Sequence, residues 1–209
     1  YFIRLGQELG PERVREMAVR LGFGRALNLA DTLSTASGQL PEAETLTSSG
    51  AFANFCFGQG ELLATPIQIA AMINTIAAGG IWREPLFLEG TLDETTGESL
   101  TALAHRGARR VFSAQTARAL RELLASVVTE GTGHEAAPAE GTAAGKTGTA
   151  QTGQFAAGKE LKNYWFAGFY PARNPRYTIV VLQDGQTGPS RTSAAIFARV
   201  CDALDAAGE

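Results

Sequence analysis

Seven consecutive residues, Gly145-Lys146-Thr147-Gly148-Thr149-Ala150-Gln151, set an ammonium, two hydroxyls and a position without a side chain into a stretch that otherwise reads as an apolar strand. On a strand, side chains alternate between faces, so Lys146, Gly148 and Ala150 share one side and Thr147, Thr149 and Gln151 the other. A glycine inside a strand marks a place where a ligand or another backbone comes close. Thr147 and Thr149 put hydroxyl donors beside that gap, and Lys146 adds a compact positive charge. Two readings stand for the segment alone: an edge strand with a solvated lysine, or a strand that grips something laid against it.

The elements around it are legible from periodicity. Gly10-Pro11 opens a helix in which Val14, Met17, Ala18 and Leu21 recur on one face, and Gly22 suits its end. Residues 31–50, rich in Ser, Thr, Gly and Glu, read as a long surface loop. An aromatic cluster, Phe52 to Phe57, leads into Gly58-Gln59-Gly60. Thr65-Pro66 then supplies an N-cap and a first-turn proline for a buried helix striped by Ile69, Met72, Ile73 and Ile76. Gly58-Gln59-Gly60 lacks the spacing of a phosphate-binding loop. Pro85 to Leu88 and Ser99 to Leu103 flank Asp93 to Gly97 as a peripheral hairpin. Ser113 caps a helix with Leu120, Leu123, Leu124 and Val127 inward, and Gly131 to Ala144 reads as a flexible connection.

Thr152 to Asn163 is expected to be a loop. Tyr164 to Tyr170 and Tyr177 to Leu182 form an antiparallel pair across a proline turn, and Phe197, Val200, Cys201 and Leu204 stripe a closing helix. Helices first, then three strands and a final helix, predict an α+β fold, an antiparallel sheet flanked by helices.

Composition narrows the function classes. A length of 209 residues suits one sizeable domain or a large piece of one. The net charge of -3 gives no case for binding nucleic acid. No apolar run approaches the roughly 20 residues that span a bilayer, so a soluble piece is expected. Cys56 and Cys201 lie far apart without metal or redox spacing and read as core residues. His105 and His134 read as solvated, and Arg106 to Arg110 as a charged surface. No metal or organic cofactor is indicated. Arginines number fifteen against three lysines, yet all three lysines fall between 146 and 162. A compact ammonium differs usefully from a forked guanidinium in a tight site that shares protons.

Lys146-Thr147-Gly148 matches the Lys-Thr-Gly signature of class A β-lactamases and penicillin-binding proteins. Phe57-Gly58-Gln59-Gly60, the Thr65-Pro66-x-Gln68-x-Ala70 run and Trp165-Phe166-Ala167-Gly168 agree with it in order. Together they resemble the carboxy-terminal portion, here residues 1–209, of the transpeptidase domain of class B penicillin-binding proteins, with a β-lactamase/transpeptidase-like fold. The family's Ser-x-x-Lys and Ser-x-Asn motifs do not occur in these residues: Ala143, Ala156 and Lys159 stand three before the lysines, and no Asn follows a Ser at the required spacing. Tyr1-Phe2 resembles the helix just after the second motif.

The resemblance implies a parent enzyme on the extracytoplasmic face of the bacterial membrane, in which a serine attacks a D-Ala-D-Ala stem peptide of peptidoglycan and is acylated by β-lactams. It implies catalytic roles for Lys146 and for the Thr149 backbone N–H as an oxyanion donor. Thr147, Gly148, Thr149 and Gln151 would bind substrate, and the missing amino-terminal part of the same domain would be the partner. The piece alone is expected to be inactive. A penicillin-recognising sensor without turnover is the alternative, and hydrolysis in the manner of a serine β-lactamase a third.

Overall fold

The computed structural model describes residues 1–30, 33–88, 90–102 and 107–208. The chain divides into two compact units, Tyr1–Ala71 with Ile81–Val111, and Met72–Gly80 with Phe112–Glu209. In the first, α1 (Phe2–Leu9) and α2 (Pro11–Arg20) meet at Gly10, whose φ of 82° suits a glycine. The proline-started helix is therefore present. Its expected stripe is only half-buried, and Met17 faces solvent.

The long loop expected over 31–50 is more structured than its composition suggests. β1 (Asn28–Ala30) pairs with β2 (Leu33–Ser34), Gln39 bridges to Leu63, a 3-10 helix covers Ala43–Thr47, and α3 (Ser49–Phe55) starts at a Ser48 cap. Residues 31 and 32 lie outside the described residues. These short pieces hold together because Leu46, Phe52 and Phe55 bury themselves against Val14, Leu40 and Leu62. Such periods of one turn are too brief to read from sequence.

α4 (Pro66–Ala77) begins as expected. Of the expected stripe Ile73 is buried and Ile69, Met72 and Ile76 are half-buried, while Gln68 and Thr75 are fully buried and Ala71 is buried beside them. Gln68 makes the reciprocal cap of a Thr-x-x-Gln box: its Oε1 accepts from the Thr65 N–H at 2.8 Å and the Thr65 hydroxyl at 3.2 Å, while Thr65 Oγ1 accepts from the Gln68 N–H. Its Nε2 donates to the carbonyls of Gly22, Arg25 and Ser37 at 3.4, 3.1 and 2.9 Å. One side-chain amide thus reaches three backbone carbonyls in two loops, the connection between α2 and β1 and the segment after β2.

β3 (Ile81–Trp82), β4 (Gly90–Leu92), β5 (Ser99–Ala102) and β6 (Arg109–Arg110) form two small antiparallel ribbons, β3 with β6 and β4 with β5. The peripheral hairpin exists, but its first strand starts at Gly90 rather than Pro85, because Asp93 Oδ1 accepts from the N–H groups of Thr95 and Thr96 and sets the turn there. Leu103, His105 and Arg106 lie outside the described residues.

In the second unit α5 (Ala114–Thr129) is capped by Ser113, whose Oγ accepts from the Thr116 N–H. Ala117 and Val128 are its buried residues, and Leu123, expected inward, is exposed. The connection that follows is not loose. A 3-10 turn covers His134–Ala136, with Ala136 and Ala143 in the core. β7 (Ala144–Ala156), β8 (Lys159–Tyr170) and β9 (Tyr177–Gln186) form one antiparallel sheet in that order, and α6 (Ser193–Ala206) covers it. Phe166 meets Phe197 with ring centroids 4.7 Å apart. Cys201 is fully buried and Val200 is exposed. Both cysteines are free, and burial pushes the Cys201 thiol up to about 12.

Tyr170 ties the sheet to α6. Its hydroxyl donates to Asp205 Oδ2 at 2.6 Å, and that hydrogen bond, with burial second, pushes the phenol up to about 12. The neutral phenol is the form the fold favours, so its contribution is complete below the ordinary phenol pKa of about 10 and is lost as pH rises from there to about 12. Tyr170→Phe is expected to cost about 1.5 kcal/mol at neutral pH. Urea titrations of both proteins should show that gap closing in strong alkali; a gap of constant size would contradict the assignment.

Candidate active-site strand

The β7–β8 register places each residue singled out in sequence. Lys146 lies opposite Ala167, Thr147 opposite Phe166, Gly148 opposite Trp165, Thr149 opposite Tyr164 and Gln151 opposite Lys162. Since Phe166 faces α6, Thr147 and Thr149 share the helix-covered face, and Lys146 and Gly148 share the other. The alternation expected from sequence is the one observed. β7 is an edge strand, hydrogen-bonded to β8 on one side.

Two glycines set that register. A Cβ on Gly145 would lie 2.5 Å from Phe166 Cε1 and 2.8 Å from the Ala167 carbonyl, and one on Gly168 would lie 2.3 Å from the Ala144 carbonyl. Gly148 is less confined. The nearest atoms to a Cβ there are those of Trp165, with its Cβ at 3.3 Å, so the space beside Gly148 is bounded on the β8 side by a tryptophan.

Lys146 is exposed, and its Nζ donates to the Thr147 carbonyl at 3.2 Å and to Thr147 Oγ1 at 3.3 Å. Thr147 Oγ1 also lies 3.2 Å from Thr132 Oγ1. Ammonium and two hydroxyls thus form one polar row, and Thr132 joins it from the connection between α5 and β7, outside the Lys-Thr-Gly motif. Its position follows from its neighbours: Gly131 and Gly133 would each carry a Cβ into Val127, at 2.9 and 3.0 Å, so only glycines let this loop close over the end of α5. The Gly-Thr-Gly pattern was the available signal.

Thr149 is exposed beyond this row. Gln151 is drawn away from it, donating from Nε2 to Glu160 Oε2 at 3.0 Å. The expected loop from Thr152 to Asn163 is instead the far half of a long hairpin. A bulge between Gln151 and Phe155 carries Gly153 at φ 68°, and Thr152 Oγ1 donates to the Leu161 carbonyl. Ala157 and Gly158 close the turn with φ of 49° and 74°, the signs of a type I′ turn. Ala-Gly is a weaker signature than Asn-Gly, which is why composition suggested a loop.

A small cavity of about 80 Å³ lies elsewhere, between the end of α4 and the start of β9, lined by Asn74, Arg176 and Thr178 among others. Among the described residues no three His, Cys, Asp or Glu side chains converge as metal ligands, and no helix is long and apolar enough to cross a membrane.

The fold and the strand together define a class, the helix-flanked antiparallel sheet with a Lys-Thr-Gly edge. Residues 1–202 match the family of the penicillin-binding protein transpeptidase domain, and the chain belongs to that family, in its class B branch. It is 35% identical to penicillin-binding protein PbpB of Mycolicibacterium smegmatis over 217 residues, covering 97% of this chain and 33% of that protein. It is 30% identical to the peptidoglycan D,D-transpeptidase PbpA of the same organism, covering 99% of this chain and 41% of that one. The crystal structure of penicillin-binding protein 3 from Mycobacterium tuberculosis complexed with aztreonam superimposes with a TM-score of 0.84 at 30% identity, over 99% of this chain and 48% of that one. The chain therefore spans a third to two fifths of the length of these curated relatives.

The two glycines are expected to respond differently to a methyl group. Gly145→Ala should cost about 2 kcal/mol in denaturant unfolding through overpacking against Phe166, and Gly148→Ala less than about 1 kcal/mol. Equal losses would mean that Gly145 does not set the register.

Proposed function

We propose that this chain is the Lys-Thr-Gly-bearing portion of a serine-type peptidoglycan D,D-transpeptidase, and that its β7 edge binds the D-Ala-D-Ala end of a stem peptide or the β-lactam that mimics it. The observation that carries the reading is the row of Lys146 Nζ, Thr147 Oγ1 and Thr132 Oγ1 along an edge strand. The names of the relatives, among them D,D-transpeptidases, and an aztreonam complex of a protein of the same fold support it.

Each residue then has a physical task. Lys146 supplies a fixed positive charge that attracts the terminal carboxylate and steadies the proton network around the nucleophile. Thr147 and Thr149 donate to that carboxylate, and charge-assisted hydrogen bonds of this kind are about twice as strong as neutral ones. The Thr149 backbone N–H serves as one oxyanion donor, stabilising the negative charge that develops on the carbonyl oxygen as serine adds. Gly148 lets the peptide approach, and the strand edge offers it backbone pairing. Gln151, bonded to Glu160 and turned away from the row, reaches substrate only by releasing that bond.

Attack requires a hydroxyl with a neighbouring base. No Ser-x-x-Lys or Ser-x-Asn stands in these 209 residues, so the nucleophile belongs to another segment of the parent protein, which works at the extracytoplasmic face of the membrane. A sensor that holds penicillin or peptide without turnover is the competing reading, and the upstream sequence separates the two.

In the full-length protein Lys146→Ala is expected to lower the acylation rate by a fluorescent penicillin about a hundredfold or more, with the thermal melt unchanged; wild-type acylation kinetics would remove the role given to Lys146. The isolated 209-residue chain, folded by circular dichroism, should take up no label that survives denaturation. A denaturation-resistant adduct would refute the placement of the nucleophile elsewhere.

A further inference from the structure

The chain is acidic overall, yet its first unit gathers guanidinium groups around one buried ring. Trp82, 2% exposed, donates from Nε1 to the Leu21 carbonyl at 3.0 Å, which fixes the indole. The guanidinium carbon of Arg109 stands 4.0 Å from the ring centroid and that of Arg25 5.0 Å. Arg109 Nη2 donates to the Arg20 carbonyl at 2.6 Å, and Arg20 Nη2 donates in turn to the Arg110 and Val111 carbonyls. Three cations are therefore positioned by carbonyl groups and an aromatic face.

Neither carbonyls nor a π face cancel charge as a carboxylate would. Among the described residues Glu84 is the carboxylate whose charge bears on Arg109, and its Oε1 is shared between Arg25 at 3.3 Å and the Asn28 N–H at 3.0 Å. Arg109 is held below the usual guanidinium range, first by burial and then by Arg25 and Arg20, with Glu84 opposing. Like charges held this close raise the free energy of the empty site, and an anion relieves it. Arg109 is nonetheless exposed, and the Arg25 side chain is 42% exposed. A guanidinium has five N–H donors, and among the described residues the bonds made by Arg25, Arg20 and Arg109 occupy one nitrogen on each, so other donors of each fork can serve a ligand.

We infer that the arginine cluster around Trp82 binds phosphate groups, a site distinct from the Lys146 strand and independent of the reaction proposed for it. Phosphate fits better than a single carboxylate because its oxygens accept from more than one fork at once, and guanidinium geometry matches it in bidentate fashion. A chain of linked phosphates, or a phosphate headgroup, could engage Arg25 and Arg109 together while the ring keeps both forks ordered.

The test uses the full-length protein with inorganic tripolyphosphate, titrated by calorimetry at about 150 mM salt, where weak surface pairing is screened. Saturable binding of one equivalent is expected. It should weaken about tenfold in Arg109→Gln and in Arg25→Gln, the loss of one charged hydrogen-bonded contact, and stay unchanged in Arg118→Gln, an exposed helix arginine paired with Glu122. Arg25→Lys keeps the charge and removes the fork, and it should also bind more weakly, which keeps the test decisive if a glutamine variant fails to fold. Citrate, a polyanion of carboxylates, is expected to bind at least tenfold more weakly.

Vesicles containing phosphatidylglycerol form a second arm: capture of the protein by them in an Arg109-dependent manner assigns the phosphate to a lipid headgroup, and binding of tripolyphosphate alone assigns it to a soluble chain. No saturable binding in either arm, citrate binding as tight as tripolyphosphate, or equal losses in Arg118→Gln and Arg109→Gln would overturn the inference.

Discussion

The contact on which the proposed site depends is the close approach of β7 and β8 where Gly145 faces Gly168. On each strand the position of a side chain is taken by a neighbour's atoms: Phe166 and the Ala167 carbonyl beside Gly145, the Ala144 carbonyl and the Phe197 ring beside Gly168. A slip of one residue would drive a Cβ into backbone and turn every side chain of β7 to the opposite face. Register and chemistry are thus the same constraint, since it is this pairing that sends Lys146 to one face and Thr147 to the other while leaving them adjacent at the edge.

Around that contact the second unit works as a support. Phe166 fills the space under β7 and packs on Phe197 of α6, so the helix that closes the sheet also backs the strand that carries the hydroxyls. From the other direction, the Gly131 to Gly133 loop lies against Val127 and delivers Thr132 to Thr147. The polar row is therefore assembled from a strand and a loop that are separated by fifteen positions in sequence but share one apolar base. The bonds among Lys146, Thr147 and Thr132 set these donors side by side without a ligand, as the proposed electrostatic stabilisation requires.

Much of this was legible in the sequence. Long periodic elements declared themselves, as did the alternation on β7, the Ser113 and Thr65 caps and the helix that closes the chain. What escaped were features whose cause is not periodic. The Thr152 to Asn163 hairpin turns on Ala157-Gly158, whose φ signs no composition rule announces. The small elements between residues 33 and 55 are stabilised by Leu46, Phe52 and Phe55 rather than by propensity. Leu123 sits on the outer face of α5 although its type argues for the core, because the helical phase that turns Ala117 and Val128 inward turns position 123 away. Thr132 was hidden for a similar reason, in that its role arises from its glycine neighbours. On α4, the apolar stripe drew attention away from Gln68, the side chain that carries most of the local bonding.

The amide of Gln68 meets Gly22, Arg25 and Ser37 only through their carbonyl oxygens. Every residue type offers that oxygen, so the loops are held by where the main chain runs and not by what it displays. Surface identity at Ser37 can therefore drift over generations without loosening the scaffold beneath, whereas at Arg25 the side chain carries the further bond to Glu84.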